Sequence, residues 1–333
     1  MVRKNKMNFN FTKISESNFQ AAALEIFNFQ YLNNLLYNQY CNLLKIEPEN
    51  VFEINQIPFL PISFFKSHEI KTTEFNAELV FESSGTTGSI NSKHFVRSAE
   101  IYYSSFIQSF KLFYGDPKQY CILGLLPSYL ERGNSSLVYM VDNLIKLSGN
   151  TNSGFFLNDF ESLRDILISN EKNENKTLLI GVTYALLDFF ELNKFNLKHT
   201  IIMETGGMKG RRTELSRNEV HRRIKLATGV ENVHSEYGMT ELLSQAYSNG
   251  NGIFHGPPWM KVLVRAEDDP FNVSEPGTKA KGIANIIDLA NIYSCAFIQT
   301  DDTAEIESDG FFKITGRVAN CDLRGCGLMV ADI

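Results

Sequence analysis

The spacing of apolar and polar positions predicts strands alternating with helices, then a stretch of short strands. Between residues 15 and 46 apolar side chains crowd at Phe27, Tyr31, Leu35 and Leu36 in a helical pattern. The proline-bounded Pro58-Phe59-Leu60-Pro61 ends it. Tyr102, Phe106, Phe110 and Phe113 recur at intervals of four, four and three, one stripe of a helix. Leu137, Val141, Leu144 and Ser148 mark another. Residues 121–126, 177–182 and 200–204 read as buried strands, and a helix begins near Tyr184. The polar stretch 169–176 reads as a surface connection. Ser216 with Glu219 forms a capping-box pattern opening a helix that ends near Gly229. Alternation over residues 75–245 implies an α/β fold with much parallel sheet. Beyond Gly252, β-type runs at 260–265, 282–288, 295–300 and 311–315 are separated by Gly, Pro and Asp turns. The expected organisation is an α/β core over 1–250, a β-rich subdomain of the same core over 251–315, and a short tail over 316–333.

Composition narrows the class. The 333 residues hold ample core material, with 26 Phe and 13 Tyr, and suffice for one large domain or two smaller ones. A net charge of −6 argues against a nucleic-acid partner, which calls for a basic excess or face. No apolar segment approaches the roughly 20 residues of a membrane helix, and residues 1–13 lack the apolar core of a secretory signal. Five scattered cysteines (Cys41, Cys121, Cys295, Cys321, Cys326) fit reduced thiols in a cytoplasm better than a disulfide frame. Cys321 and Cys326 lack the companions of a zinc site.

The sharpest motif is Ser83-Ser84-Gly85-Thr86-Thr87-Gly88, six small residues after the apolar Leu79-Val80-Phe81. Its glycines let the backbone turn tightly, and its hydroxyls add donors suited to an anion such as triphosphate. It is not a Walker loop, because no Gly-Lys-Ser/Thr follows, and a solvated turn is the plain alternative. Four later segments join it. Glu204-Thr205-Gly206-Gly207-Met208 ends a strand with two glycines against which a flat ring can lie. Tyr237-Gly238-Met239-Thr240-Glu241 follows a strand and offers a stacking face, a hydroxyl and a carboxylate for a hard cation. Thr300-Asp301-Asp302 is read as a strand end with carboxylates for ribose hydroxyls, and Gly316-Arg317 as following a further strand.

Taken in order, these segments resemble the core motifs of the adenylate-forming superfamily of acyl-CoA synthetases, luciferases and peptide-synthetase adenylation domains. The superfamily pattern is Ser-Gly-Thr-Thr-Gly, then Tyr-Gly-x-Thr-Glu, then Thr-Gly-Asp, where Asp301 replaces the usual glycine. Within it the chain looks most like the LuxE acyl-protein synthetases over nearly its whole length. That closer resemblance rests on Leu126-Pro127-Ser128-Tyr129-Leu130-Glu131-Arg132, Pro257-Pro258-Trp259, Asp288-Leu289-Ala290-Asn291 and Arg324-Gly325-Cys326-Gly327-Leu328. It implies an enzyme that activates a fatty acid as acyl-AMP and captures the acyl group on a C-terminal cysteine, here Cys326. The acyl group then passes to a partner reductase.

The resemblance also implies roles. Thr86, Thr87 and Gly88 would hold the β- and γ-phosphates of ATP, with Ser84 and Gly85 shaping the turn. The family lysine normally comes three residues after the last glycine, where Asn91 stands; Lys93 either compensates or is a surface charge. Gly206, Gly207 and Tyr237 would bracket adenine, Thr240 the phosphates, and Glu241 Mg²⁺, unless Glu241 is an ordinary helix-start acid. Asp302 would bind ribose, and Arg317 ribose or the α-phosphate. Residues 126–130 with Ser135 and Ser136 line the acyl side or simply start a packed helix. Larger members carry a C-terminal domain whose lysine assists adenylation; that domain is expected to be absent or vestigial. Lys209, Arg211 or Arg212 are candidate substitutes. Two other readings stay open: a phenylacetate-CoA-ligase-like enzyme using CoA or an acyl carrier protein, and a non-catalytic nucleotide-binding scaffold.

Overall fold

The computed structural model describes residues 7–83, 90–127, 133–206 and 215–318. The first apolar stretch forms two helices, α1 (Phe19–Asn33) and α2 (Leu35–Leu43), rather than one. Asn34 divides them: its extended backbone ends α1, and its side chain accepts from the Tyr37 N–H at 3.0 Å to cap α2. Strand β1 (Leu60–Pro61) and a single helical turn, α3 (Phe64–Ser67), follow. An antiparallel pair, β2 (Leu79–Glu82) and β3 (Lys93–Val96), leads into α4 (Ala99–Tyr114). The α4 stripe Tyr102, Phe106 and Phe110 is buried, as its spacing predicts.

Strands and helices then alternate. They run β4 (Cys121–Leu125), α5 (Ser136–Ser148), β5 (Gly154–Phe155), α6 (Phe160–Lys172), β6 (Thr177–Val182), α7 (Thr183–Leu192), β7 (Thr200–Thr205), α8 (Arg217–Thr228), β8 (His234–Tyr237) and β9 (Ala246–Ser248). Residues 169–176 are not a connection throughout, because α6 continues to Lys172. Leu163, Leu167 and Asn170 form its buried stripe, and Asn170 Nδ2 donates to Thr177 Oγ1 at 2.9 Å. Ser216 caps α8 by accepting from the Glu219 N–H at 3.3 Å. The Glu219 carboxylate turns to Arg222 and Arg223 instead of completing the box. Gly229, at φ 73°, closes α8 in the left-handed conformation.

The chain ends in β10 (Met260–Arg265), β11 (Ala280–Asp288), β12 (Phe297–Ile306) and β13 (Phe312–Arg317). Thr300-Asp301-Asp302 therefore lies inside β12, not at a strand end, because β13 folds back and pairs from Phe312↔Ile306 to Arg317↔Asp302. Gly316-Arg317 belongs to β13 rather than following it.

Two compact units result, residues 65–257 and residues 1–64 with 258–333. This division differs from a boundary near residue 250, since the N-terminal helices join the late strands. Residues 65–257 carry a six-stranded sheet in the order β5-β4-β6-β7-β8-β9, parallel except for β9. Strands β4 and β6 are buried along their length, which explains why they read as continuous apolar runs.

The other unit orders its sheet β1-β12-β11-β10, with β13 on β12. Phe27, Tyr37 and Phe59 surround Phe297 with ring centroids 6.2, 6.3 and 6.3 Å away. Buried Gln30 donates to the Asn291 and Ile292 carbonyls at 2.9 and 3.0 Å and accepts from Ala296 N–H at 3.0 Å. Asp288 Oδ1 accepts from Ala290 N–H at 3.1 Å, so Asp288-Leu289-Ala290-Asn291 is a buried turn serving the fold. Cys41, Cys121 and Cys295 are buried free thiols. Burial pushes Cys41 and Cys295 up to about 12, leaving them inert at neutral pH. No described helix is long and apolar enough to cross a membrane.

Candidate active site

Strands β7 and β8 run parallel, with Glu204 opposite Ser235 and Thr205 opposite Glu236. Because side chains alternate along a strand, Glu204 and Ser235 share one face of the sheet and Thr205 and Glu236 the other. Both strands end on the same edge, where open α/β sheets collect ligands. A cavity of about 160 Å³ lies there. Its described walls are Thr205 and Gly206 from β7, Glu236 from β8, and Gly238, Met239, Thr240 and Gln245 from the segment that follows. Tyr102, Ser135, Ser136, Leu137, Met140 and Glu82 complete them.

Local backbone chemistry shapes these walls. Gly206 sits at φ 71°, a conformation that disfavours side chains, although a Cβ there would meet nothing within 4 Å. At Gly238 a Cβ would stand 2.5 Å from Glu236 Oε1, so a side chain there would displace the end of that carboxylate. The Thr240 carbonyl accepts from His94 Nδ1 at 2.8 Å, tying the motif to β3.

The two carboxylates have opposite surroundings. Glu204 is met by Arg217 Nε at 3.3 Å, Ser235 Oγ at 3.0 Å, Thr183 Oγ1 at 3.1 Å and His221 Nε2 at 3.7 Å. Burial works to raise its pKa, but the nearby His221 ring, the Arg217 charge and the Ser235 hydroxyl outweigh that and hold it below the usual range. On the other face Glu236 has only the Thr205 hydroxyl as a hydrogen-bond donor among the described residues. Burial pushes it up to about 7, with the Glu204 charge adding and the Thr205 bond opposing. Neighbouring carboxylates held in different protonation states are a frequent mark of functional sites. The Arg217 guanidinium also lies 5.1 Å from the Phe254 ring centroid. Arg217→Met should cost about 1–2 kcal/mol, discounted for its partial exposure, measurable by urea denaturation.

Of the residues singled out from sequence, Gly206 and Thr240 line the cavity, as do the acyl-side candidates Ser135 and Ser136. Glu241 is buried in the turn after β8 rather than at a helix start, and is not among the described wall residues. Tyr237 ends β8 with its ring 5.9 Å from that of Phe254. Lys93 is exposed at the start of β3 and faces Glu82 on β2 at 3.5 Å. Lys93→Ala should change stability by less than about 0.5 kcal/mol in thermal denaturation, as for other surface pairs. Asp302 and Arg317 are cross-strand partners in the other unit, 3.3 Å apart. Ser84, Gly85, Thr86, Thr87, Gly88, Gly207, Lys209, Arg211, Arg212 and Cys326 lie outside the described residues.

Sequence reading missed Glu236 and Gln245. A signal was present: His234-Ser235-Glu236-Tyr237 is an all-polar strand where a central parallel strand is normally apolar. Among the described residues no group of three His, Cys, Asp or Glu forms a self-sufficient metal site.

Solved structures share this fold. A 2-hydroxyisobutyryl-CoA ligase in complex with 2-HIB-AMP and CoA aligns with a TM-score of 0.64 and 9% identity, covering 95% of this chain and 74% of its own. ATP-bound MatB from Rhodopseudomonas palustris gives 0.53 and 17%, covering 74% and 50%. O-succinylbenzoate coenzyme A synthetase from Bacillus subtilis, in complex with ATP and a magnesium ion, gives 0.50 and 17%, covering 73% and 51%. The chain thus spans about half the length of the last two. A search of curated protein sequences finds no significant match. The model of the LuxE acyl-protein synthetases matches residues 8–333, and to that family the chain belongs.

Proposed function

We propose that this chain activates a carboxylic acid with ATP as an acyl-adenylate and passes the acyl group to a thiol, its own Cys326. The observation that carries the reading is that Gly206 and the Gly238-Met239-Thr240 segment, from two separate motifs, wall one cavity at the carboxyl edge of a parallel sheet. Family membership supports it, and ATP in the related folds of MatB and the succinylbenzoate enzyme supports ATP as co-substrate.

In the first half-reaction a carboxylate oxygen attacks the α-phosphorus and pyrophosphate leaves. Positioning and charge neutralisation dominate such a step. Ser84 to Gly88 hold the departing phosphates, with Lys93 adding charge, while Thr240 is held in place through its carbonyl by His94. Gly206, Gly207 and Tyr237 bracket adenine, Asp302 takes the ribose hydroxyls, and Arg317 the ribose or α-phosphate. A Mg²⁺ bound to ATP needs only one or two protein carboxylates, which suits Glu241. When bound, the ion neutralises phosphate charge. In the second half-reaction the Cys326 thiolate attacks the acyl carbonyl and AMP leaves, the thiol proton passing to solvent. A fatty acid, and delivery to an acyl reductase, are what the family supports.

The test is acid-dependent exchange of labelled pyrophosphate into ATP, followed by intact-protein mass measurement. An acyl-enzyme that is cleaved by hydroxylamine and lost in Cys326→Ser, with exchange retained, is expected. Transfer to CoA or a carrier protein that survives Cys326→Ser would replace the cysteine route. ATP binding without exchange for any acid would overturn adenylation itself.

A further inference from the structure

The turn that carries Gly206 is held from the neighbouring strand. Strands β6 and β7 pair in parallel with Gly181 opposite Glu204 and Val182 opposite Thr205, so the next residue, Thr183, comes abreast of Gly206. Thr183 is also the first residue of α7. Gly181 permits the close approach: a Cβ there would stand 2.9 Å from Leu186 Cγ and 3.0 Å from Leu125 Cβ, so a side chain would press α7 away from the strand end.

Thr183 is 5% exposed, and its Oγ1 donates to the Gly206 carbonyl at 2.6 Å. Glu204 Oε2 lies 3.1 Å from the same hydroxyl. Glu204 Oε1 is itself fixed by Ser235 Oγ at 3.0 Å and Arg217 Nε at 3.3 Å. Two acceptors therefore set the Thr183 rotamer, and the nearer is the carbonyl. Packing on its side-chain side does not hold Gly206. The residue is exposed, sits at φ 71°, and would offer a Cβ nothing within 4 Å, so glycine's conformational freedom is left to the hydrogen bond to restrain.

Resting on the reading that Gly206 brackets adenine, we infer that Thr183 is a positioning residue for the nucleotide: its hydroxyl fixes the Gly206 carbonyl, and with it the face of the turn against which the purine lies. Thr183 is not among the described wall residues of the cavity, so it acts through Gly206 and not on the ligand. Two consequences separate this role from a purely structural one. The phosphates belong to other segments, so losing the hydroxyl weakens binding of the whole nucleotide and spares binding of pyrophosphate. Because Gly206 is exposed, water can satisfy its carbonyl in place of the hydroxyl, and the fold loses little.

The experiment titrates the full chain calorimetrically with ATP and, separately, with inorganic pyrophosphate, each with Mg²⁺. Thr183→Val, matched in shape, should raise the Kd for ATP by about 5- to 10-fold and leave that for pyrophosphate unchanged. Thr183→Ser, which keeps the hydroxyl, should restore ATP binding to within about 2-fold of the parent. The melting temperature of Thr183→Val should fall by no more than about 4 °C. Should the valine variant fail to fold, Thr183→Ala against Thr183→Ser carries the same comparison. An unchanged Kd for ATP in a folded variant lacking the hydroxyl would overturn the inference and leave the nucleotide reading standing. So would equal weakening of ATP and pyrophosphate, or no rescue by serine, either of which marks a general structural role. A parent chain that does not bind ATP would remove the nucleotide reading and this inference with it.

Discussion

Replacing Arg265 with leucine is expected to destabilise the unit formed by residues 1–64 and 258–333 by about 4 kcal/mol. Arg265 lies in β10 and is only 6% exposed. Its guanidinium donates to Asn285 Oδ1 at 2.9 Å, the Thr300 carbonyl at 2.8 Å and the Ala284 carbonyl at 3.4 Å. These acceptors sit where the β11–β12 register shifts between Ile283 and Asn285, so the side chain fills a β-bulge. Apolar replacement of a complete buried polar network is often neutral, but here the carbonyls belong to the backbone and cannot be replaced along with the arginine. The Ala284 carbonyl keeps the Thr300 hydroxyl at 2.8 Å, so the donors lost by the Thr300 carbonyl and by Asn285 Oδ1 decide the sign. Lysine should not rescue, because its single ammonium cannot serve acceptors that the planar fork spans. Guanidinium denaturation of the two variants checks this, and a loss under about 1 kcal/mol would refute it. Because Thr300 precedes Asp301 and Asp302, the same variants should raise the KM for ATP if Asp302 holds ribose.

Glu236→Gln should change the pH dependence of stability more than any other single carboxylate substitution in the cavity. Burial, with the nearby Glu204 charge, pushes the Glu236 carboxyl from 4.5 up to about 7, against the Thr205 hydrogen bond. A raised carboxyl pKa means that the folded chain holds a proton the unfolded chain has released. Stability from this group is therefore fully present below about pH 4.5 and is lost as pH rises to about 7. The size follows from the shift, about 3 kcal/mol across that window. Glutamine carries no charge to desolvate, so the variant should gain on the parent through pH 4.5–7 and keep the advantage above it. Tyr102, Tyr114 and Tyr247 face the same carboxyl with pKa values raised far above this range, so they stay neutral and do not contribute. Urea denaturation of both proteins from pH 4 to pH 8 gives the comparison; a pH-independent difference would show that Glu236 does not titrate there. A gain in stability accompanied by slower pyrophosphate exchange would mark the strain kept at a functional site.

Much of the fold was legible because period and punctuation are local. The stripe at Tyr102, Phe106 and Phe110, the run at Thr177–Val182 and the start of α8 at Ser216 needed only neighbours within a few residues. What escaped depends on distant partners. Asn34 breaks the first helical stretch, its side chain capping α2 and also donating to the Ser294 carbonyl at 3.2 Å, 260 positions away. The polar end of α6 is helical because Asn170 finds Thr177 on the next strand. The extension of β12 through Asp301 and Asp302 requires β13 to return beside it.

The site divides in the same way. The small residues at 206 and 238 and the hydroxyl of Thr240 were visible as motifs, since turn chemistry and hydroxyl donors are properties of the residues themselves. That the motifs share a cavity follows from the parallel register of β7 on β8, which no local pattern encodes. Glu204 and Glu236 look alike in the chain, two acids each near a strand end. Strand alternation sends one toward Arg217 and His221 and the other into a cavity without a cation among its described walls. Residue order thus determined the locally periodic elements, the motifs and the family. Tertiary structure alone decided which carboxylate is paired with a cation and which is buried with only the Thr205 hydroxyl as a described donor, because desolvation and charge depend on what lies across the sheet, not along it.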